Sequence, residues 1–212
     1  MNKIPDHLLH SLVSGFKEGK PISDAYFDKI YPPLPNRASY THWTPIEVIK
    51  KIVSLISPNS QARILDIGSG SGKFCLVGAL LRPDLHFTGV ELRTELTDIS
   101  EDLADQLELT NTRFINSNAM EINWKGYDIL YFFNPFWEDH LPNELKIDSK
   151  VPIRKEEFDS FVKEVSQRLE KLRKGTQVIT YHGFGGKFPP SYDCLKFESC
   201  GTDQVELWQK VR

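Results

Sequence analysis

A chain of 212 residues, 40% hydrophobic and 26% charged, has the composition of a soluble globular domain with one full core. Its formal net charge of −3 gives no general electrostatic footprint for nucleic acid or an anionic membrane, so neither is an expected partner. There is no apolar signal segment and no run near the roughly 20 apolar residues of a membrane span. The three cysteines lack metal-like spacing, which predicts reduced thiols, no metal and a cytoplasmic protein.

Residues 1 to about 30 carry helical patterning, interrupted at Gly19-Lys20-Pro21. The run Tyr31-Pro32-Pro33-Leu34-Pro35-Asn36 excludes both helix and central strand. This divides the chain into an N-terminal helical extension, 1–40, and a main domain, 41–212. A helix follows over 45–56, with Thr44 as its expected N-cap and Pro45 at its first position. Strand and helix signals then alternate. Strands are predicted at 63–67, 86–91, 112–115, 128–133 and 177–181, and helices at 74–81, 95–109 and 155–172. The strand 128–133 is apolar throughout, as when both faces are buried. Segments 195–198 and 205–211 read as two closing strands, antiparallel because their connection is too short for a crossover helix. The pattern predicts a doubly wound, seven-stranded, mostly parallel α/β sheet that binds ligands at the carboxyl ends of its strands. The basic groups Arg154-Lys155 and Lys171-Leu172-Arg173-Lys174 read as helix-end and surface charge.

The chemistry-bearing motif is Leu65-Asp66-Ile67-Gly68-Ser69-Gly70-Ser71-Gly72, between a strand and a helix. Three alternate glycines permit a tight turn and let a ligand touch bare backbone, and helix amides beyond them favour an electron-rich group. A dinucleotide fingerprint would need glycine where Lys73 stands, and a P-loop would need a Gly-Lys-Ser/Thr that does not follow. Glu91 closes the next strand, where a carboxylate can accept from both ribose hydroxyls of a nucleoside.

Asp66, Gly68, Gly70 and Gly72 at this spacing resemble motif I of the class I, Rossmann-like methyltransferases. That resemblance implies S-adenosylmethionine as cofactor, S-adenosylhomocysteine as product, and a cofactor site built from Asp66, Gly68, Ser69, Gly70, Gly72 and Glu91. Asn118 and Ala119, after the third strand, stand where the family holds the adenine. Asn118 replaces the usual acid. Asn134-Pro135-Phe136-Trp137 is similar to the motif with which amino-methylating members hold the target nitrogen, with Phe136 in place of a second proline. This makes Asn134 the expected catalytic residue and 134–137 the expected substrate-binding segment.

Tyr40-Thr41-His42-Trp43-Thr44-Pro45, with the Asn-Pro-Phe, resembles Dot1-like and related protein-lysine methyltransferases and adds Tyr40 and Thr44 to the cofactor set. The implied function is N-methylation of a lysine-type protein side chain. A small molecule or a nucleobase is the alternative acceptor. Tyr131, Phe132, Phe133, Phe136 and Trp137 would line an aromatic channel to a neutral amine. An NAD-dependent oxidoreductase and a non-catalytic cofactor-binding module are the competing readings from other classes. His182, in Tyr181-His182-Gly183 after the fifth strand, is read as structural.

Overall fold

The computed structural model describes residues 3–32, 43–58, 60–133 and 155–212. Helices α1 (Asp6–Lys17) and α2 (Asp24–Phe27) precede a 3-10 turn, Asp28–Ile30. Helix α3 (Ile46–Leu55) leads into β1 (Arg63–Ile67), α4 (Lys73–Leu81), β2 (His86–Glu91), α5 (Thr94–Gln106) and β3 (Thr112–Asn116). A single 3-10 turn, Trp124–Gly126, separates β3 from β4 (Ile129–Phe133). The chain closes with α6 (Lys155–Glu170), β5 (Gln177–Tyr181), β6 (Tyr192–Cys200) and β7 (Asp203–Lys210).

The seven strands lie in the order β3-β2-β1-β4-β5-β7-β6. The first five are parallel, while β7 runs antiparallel to both β5 and β6. Strand order reverses between β1 and β4, the position at which open α/β sheets form a ligand crevice. The seven-stranded, mostly parallel α/β fold expected from the sequence is therefore present. Both closing strands are longer than their apolar centres suggested, because strand pairing recruits polar residues such as Asp193 and Gln204 into the ladder.

Period-two alternation sorts the strand residues onto two cores. Ile64, Phe87, Ile129, Tyr131, Ile179 and Tyr181 face one side, together with buried residues of α1 to α5. Leu65, Ile67, Val90, Leu130, Phe132 and Val178 face the other, against Trp124, Val165 and Leu169. Residues 129–132 of β4 are buried on both faces. The same parity puts Asp66, Glu91 and Tyr131 on the first face, beneath α4.

The N-terminal extension contributes Ile4, Leu8, Leu12, Phe16, Phe27, Ile30 and Tyr31 to that first core. One correction concerns the start of α3. Thr44 does not cap it. Pro45 occupies the N-cap position without a side-chain bond, and the Ile46 amide donates instead to Asp24 Oδ1 at 3.0 Å. The Thr44 hydroxyl is shared with Tyr131 Oη, 2.8 Å away in the core. A distant carboxylate replaces the local cap because Asp24, the first residue of α2, lies at the start of α3.

Candidate active site

The glycine loop is fastened to the end of β2 by its own amides. Gly68 N and Ser69 N both donate to the Val90 carbonyl at 3.0 Å. Gly70 N donates to Glu91 Oε2 at 3.0 Å, and Arg93 N to Glu91 Oε1 at 3.0 Å. Loop amides 68–70 thus hold protein acceptors rather than facing an open cradle. The surface they leave is bare Cα. A side chain built on Gly70 would meet nothing within 4 Å, and its φ of +54° suits glycine. Gly72 has the opposite role. A Cβ there would lie 2.7 Å from the Phe114 ring, so Gly72 lets the loop pack closely on β3.

Glu91 is therefore preorganised. Each carboxylate oxygen accepts one backbone N–H and keeps a second lone pair for another donor. Its strand end is braced by Asn116, whose side-chain amide donates to the Glu91 and Leu92 carbonyls at 3.1 and 3.0 Å. Asn116 also accepts from Thr94 Oγ1 at 2.8 Å. This brace was not anticipated, because a lone Asn at a strand end reads only as a turn residue. Leu92, 55% exposed beside Glu91, was missed for the same reason: its exposure is a property of the fold.

Asp66 is buried beneath the loop and accepts from Cys75 Sγ at 3.6 Å. Burial raises its pKa from 3.8 to about 7; the Cys75 bond opposes the shift and the Glu91 charge adds to it. The native state then keeps a proton that the unfolded chain has lost between about pH 4 and 7. This contribution to stability is full below about pH 4 and is lost as pH rises through about 7. Denaturant titrations at pH 5 to 8 should show Asp66→Asn removing part of that decline. Parallel pH profiles for the two proteins would mean that Asp66 is not protonated in the ligand-free state.

At the end of β3, Asn118 is exposed and its Oδ1 accepts the Met120 amide at 2.9 Å. The Ala119 carbonyl accepts Trp124 Nε1 at 2.9 Å. Thr44 sits over Tyr131, whose ring stacks on Phe74 at 4.0 Å. Tyr40 and the segment Asn134, Pro135, Phe136 and Trp137 lie outside the described residues. Of the expected aromatic channel, Tyr131 and Phe132 are core residues, and Phe133 packs on Tyr181 with centroids 5.5 Å apart. His182, at φ 62°, places Nδ1 2.5 Å from Asp203 Oδ2 and its ring 5.5 Å from Phe133.

Lys73 stands where a dinucleotide fingerprint has its third glycine. Its side chain is only 2% exposed, with Nζ 2.8 Å from Asp24 Oδ1 and 2.7 Å from Asp28 Oδ1. The ammonium also lies 5.5 Å from the Trp43 ring centroid. The residue following the glycine loop thus anchors the N-terminal extension to the domain.

Residues 60–125, the segment that holds the loop, Glu91, Asn118 and Ala119, match a family model described as "Putative methyltransferase". A tRNA (guanine-N(7)-)-methyltransferase of Synechococcus sp. is 37% identical over 84 residues, 40% of this chain and 34% of that protein. The chain thus aligns with about a third of that relative's length. A release factor glutamine methyltransferase of Aliivibrio fischeri is 23% identical over 178 residues, 78% of this chain and 62% of that protein. Among solved structures, an RNA methyltransferase of Salinibacter ruber in complex with S-adenosyl-L-homocysteine superposes with TM-score 0.59 at 15% identity. It covers 80% of this chain and 94% of its own. The fold is that of the class I, Rossmann-like S-adenosylmethionine-dependent methyltransferases.

Proposed function

We propose that this protein transfers the methyl group of S-adenosylmethionine to a nitrogen of a nucleobase in structured RNA. The observation that carries the cofactor half is the Glu91 carboxylate, held by two backbone amides at the carboxyl end of β2 beside the open face of Gly70. Both oxygens keep an acceptor site for ribose hydroxyls, and exposed Leu92 offers an apolar surface to a purine. Asp66 and the loop 68–72 take the methionine end, and Asn118 and Ala119 the adenine. The bound cofactor supplies an electrophilic methyl on a sulfonium. The protein's task is to orient the acceptor lone pair in line with it. Against an NAD site, the position of the third glycine carries a buried lysine that pairs with two aspartates.

The acceptor reading departs from the main sequence-based expectation, a lysine-type protein side chain with nucleic acid not an expected partner, and follows its nucleobase alternative. Two relatives, 37% and 38% identical over 84 and 64 residues, are named as tRNA (guanine-N(7)-)-methyltransferases, which favours the nucleobase alternative. Core burial of Tyr131 and Phe132 also removes two walls of the aromatic channel that a lysine would enter. A ring nitrogen with an available lone pair needs no such channel to become neutral.

Calorimetry should show binding of S-adenosylmethionine or S-adenosylhomocysteine and none of NAD. Incubation with methyl-labelled cofactor should place label in an unmodified tRNA transcript pool rather than in protein. NAD binding alone would overturn the cofactor assignment; label in protein alone would overturn the acceptor. Glu91→Ala should weaken cofactor binding by about 1–3 kcal/mol, since a charged acceptor for two hydroxyls is removed and Gly70 loses its anchor. Glu91→Gln, which keeps one oxygen, should fall between. Unchanged affinity in the alanine variant would make Glu91 a loop fastener only.

A further inference from the structure

The connection from β3 to β4 is short and forms only the 3-10 turn Trp124–Gly126 among its elements, so this connection lays no helix along α6. A groove of about 570 Å³ lies there, lined from one side by Asn123, Trp124 and Lys125 and from the other by α6. The α6 positions Ser160, Lys163, Glu164, Gln167 and Arg168 repeat at three- and four-residue spacing, so they form one continuous face, which Lys171 extends just past the helix end.

The charges on this face are not equivalent. Arg168 belongs to the floor: its guanidinium donates to the Met120 and Ile122 carbonyls and to Glu164 at 3.1 Å, and lies 5.3 Å from the Trp124 ring centroid. Glu164, the only carboxylate lining the groove among the described residues, is thereby neutralised. Lys125, Lys163 and Lys171 are exposed on the rims, and among the described residues no carboxylate pairs with them. Three unneutralised cations thus converge on a concave surface of a protein whose net charge is −3. The groove also adjoins the candidate site directly, since Trp124 holds the Ala119 carbonyl and Arg168 holds that of Met120.

We infer that this groove holds the phosphate backbone of the RNA acceptor through Lys125, Lys163 and Lys171, leading the strand toward the carboxyl ends of the sheet. The inference rests on the nucleic-acid reading above. Lys171, which reads in the sequence as plain surface charge, is here part of a binding surface. Phosphate contacts of this kind position a polymer without reading its bases. Affinity should therefore depend on salt and little on sequence.

The test is a fluorescence-anisotropy titration of full-length protein with labelled, unmodified tRNA transcript at several salt concentrations. The variant is Lys125→Glu, Lys163→Glu and Lys171→Glu combined. A control combines Lys17→Glu, Lys20→Glu and Lys196→Glu, exposed lysines elsewhere with the same change in net charge. The groove variant should lose roughly tenfold or more in affinity, and its log–log salt slope should fall by about 2, as expected for three lost phosphate contacts. The control should change far less, and calorimetric affinity for S-adenosylmethionine should be unaltered in both. If the groove variant binds transcript like wild type with the same slope, the groove is overturned and the RNA acceptor stands. If wild type binds S-adenosylmethionine but no transcript, the acceptor reading fails and the groove with it. Loss of binding only to vesicles containing anionic lipid would also overturn the inference.

Discussion

Replacing Lys73 by alanine is expected to destabilise the protein by about 3 kcal/mol, because it strips the counter-charge from carboxylates packed against the core. Lys73 is 2% exposed, and its partners Asp28 and Asp24 have side chains 15% and 38% exposed. The partial exposure of Asp24 keeps the figure toward the lower end for a broken buried pair. Asp24 also accepts the Ile46 amide, so the loss should loosen the start of α3 as well. Lys73→Met separates the two contributions: it keeps the apolar stem and removes only the charge. In urea titrations Lys73→Met should recover part of the alanine loss. Adding Asp28→Asn to Lys73→Met should cost less than the sum of the single changes. Strict additivity would show that the pair seen in the structure contributes no coupling. Because this anchor adjoins the glycine loop, the same variants should also weaken cofactor binding. A variant that is less stable yet binds normally would make the N-terminal extension purely structural.

Asn134→Ala is expected to lower turnover by roughly 10- to 1000-fold while leaving cofactor affinity within a few-fold. The expectation comes from the Asn134-Pro135-Phe136-Trp137 motif directly after β4. Its last described neighbour, Phe133, is at the carboxyl end of a strand flanked by β1 and β5. A side chain that orients the acceptor nitrogen acts in the transition state and contributes little to holding the cofactor. Single-turnover methyl transfer to a tRNA transcript, run beside a calorimetric titration, separates the two effects. Undiminished turnover with normal cofactor binding would reduce the segment to a turn and leave the acceptor atom open. A parallel loss of cofactor affinity would instead place Asn134 in the cofactor site.

What the amino-acid sequence determined by itself is the part of this protein set by local pattern. The spans 63–67, 86–91 and 177–181 are predicted as strands and observed with those bounds, because alternation and short apolar runs act over a few residues. The glycine loop and Glu91 were legible for a related reason: tight turns and strand-end carboxylates have composition requirements that spacing alone reveals. Tertiary structure decided which groups meet. Thr44 looked like a helix cap and is instead bonded to Tyr131, 87 residues away. Lys73 looked like a mismatch in a fingerprint and is the anchor for Asp24 and Asp28. The loop amides were free to point at a ligand in sequence terms, yet Val90 and Glu91 take three of them. A net charge of −3 concealed three lysines on one groove, because a sum over the chain carries no position. Hydrogen bonds and ion pairs reach only a few ångströms, so their partners are chosen by the packing of distant segments, and that choice is made only when the sheet and helices close around the core.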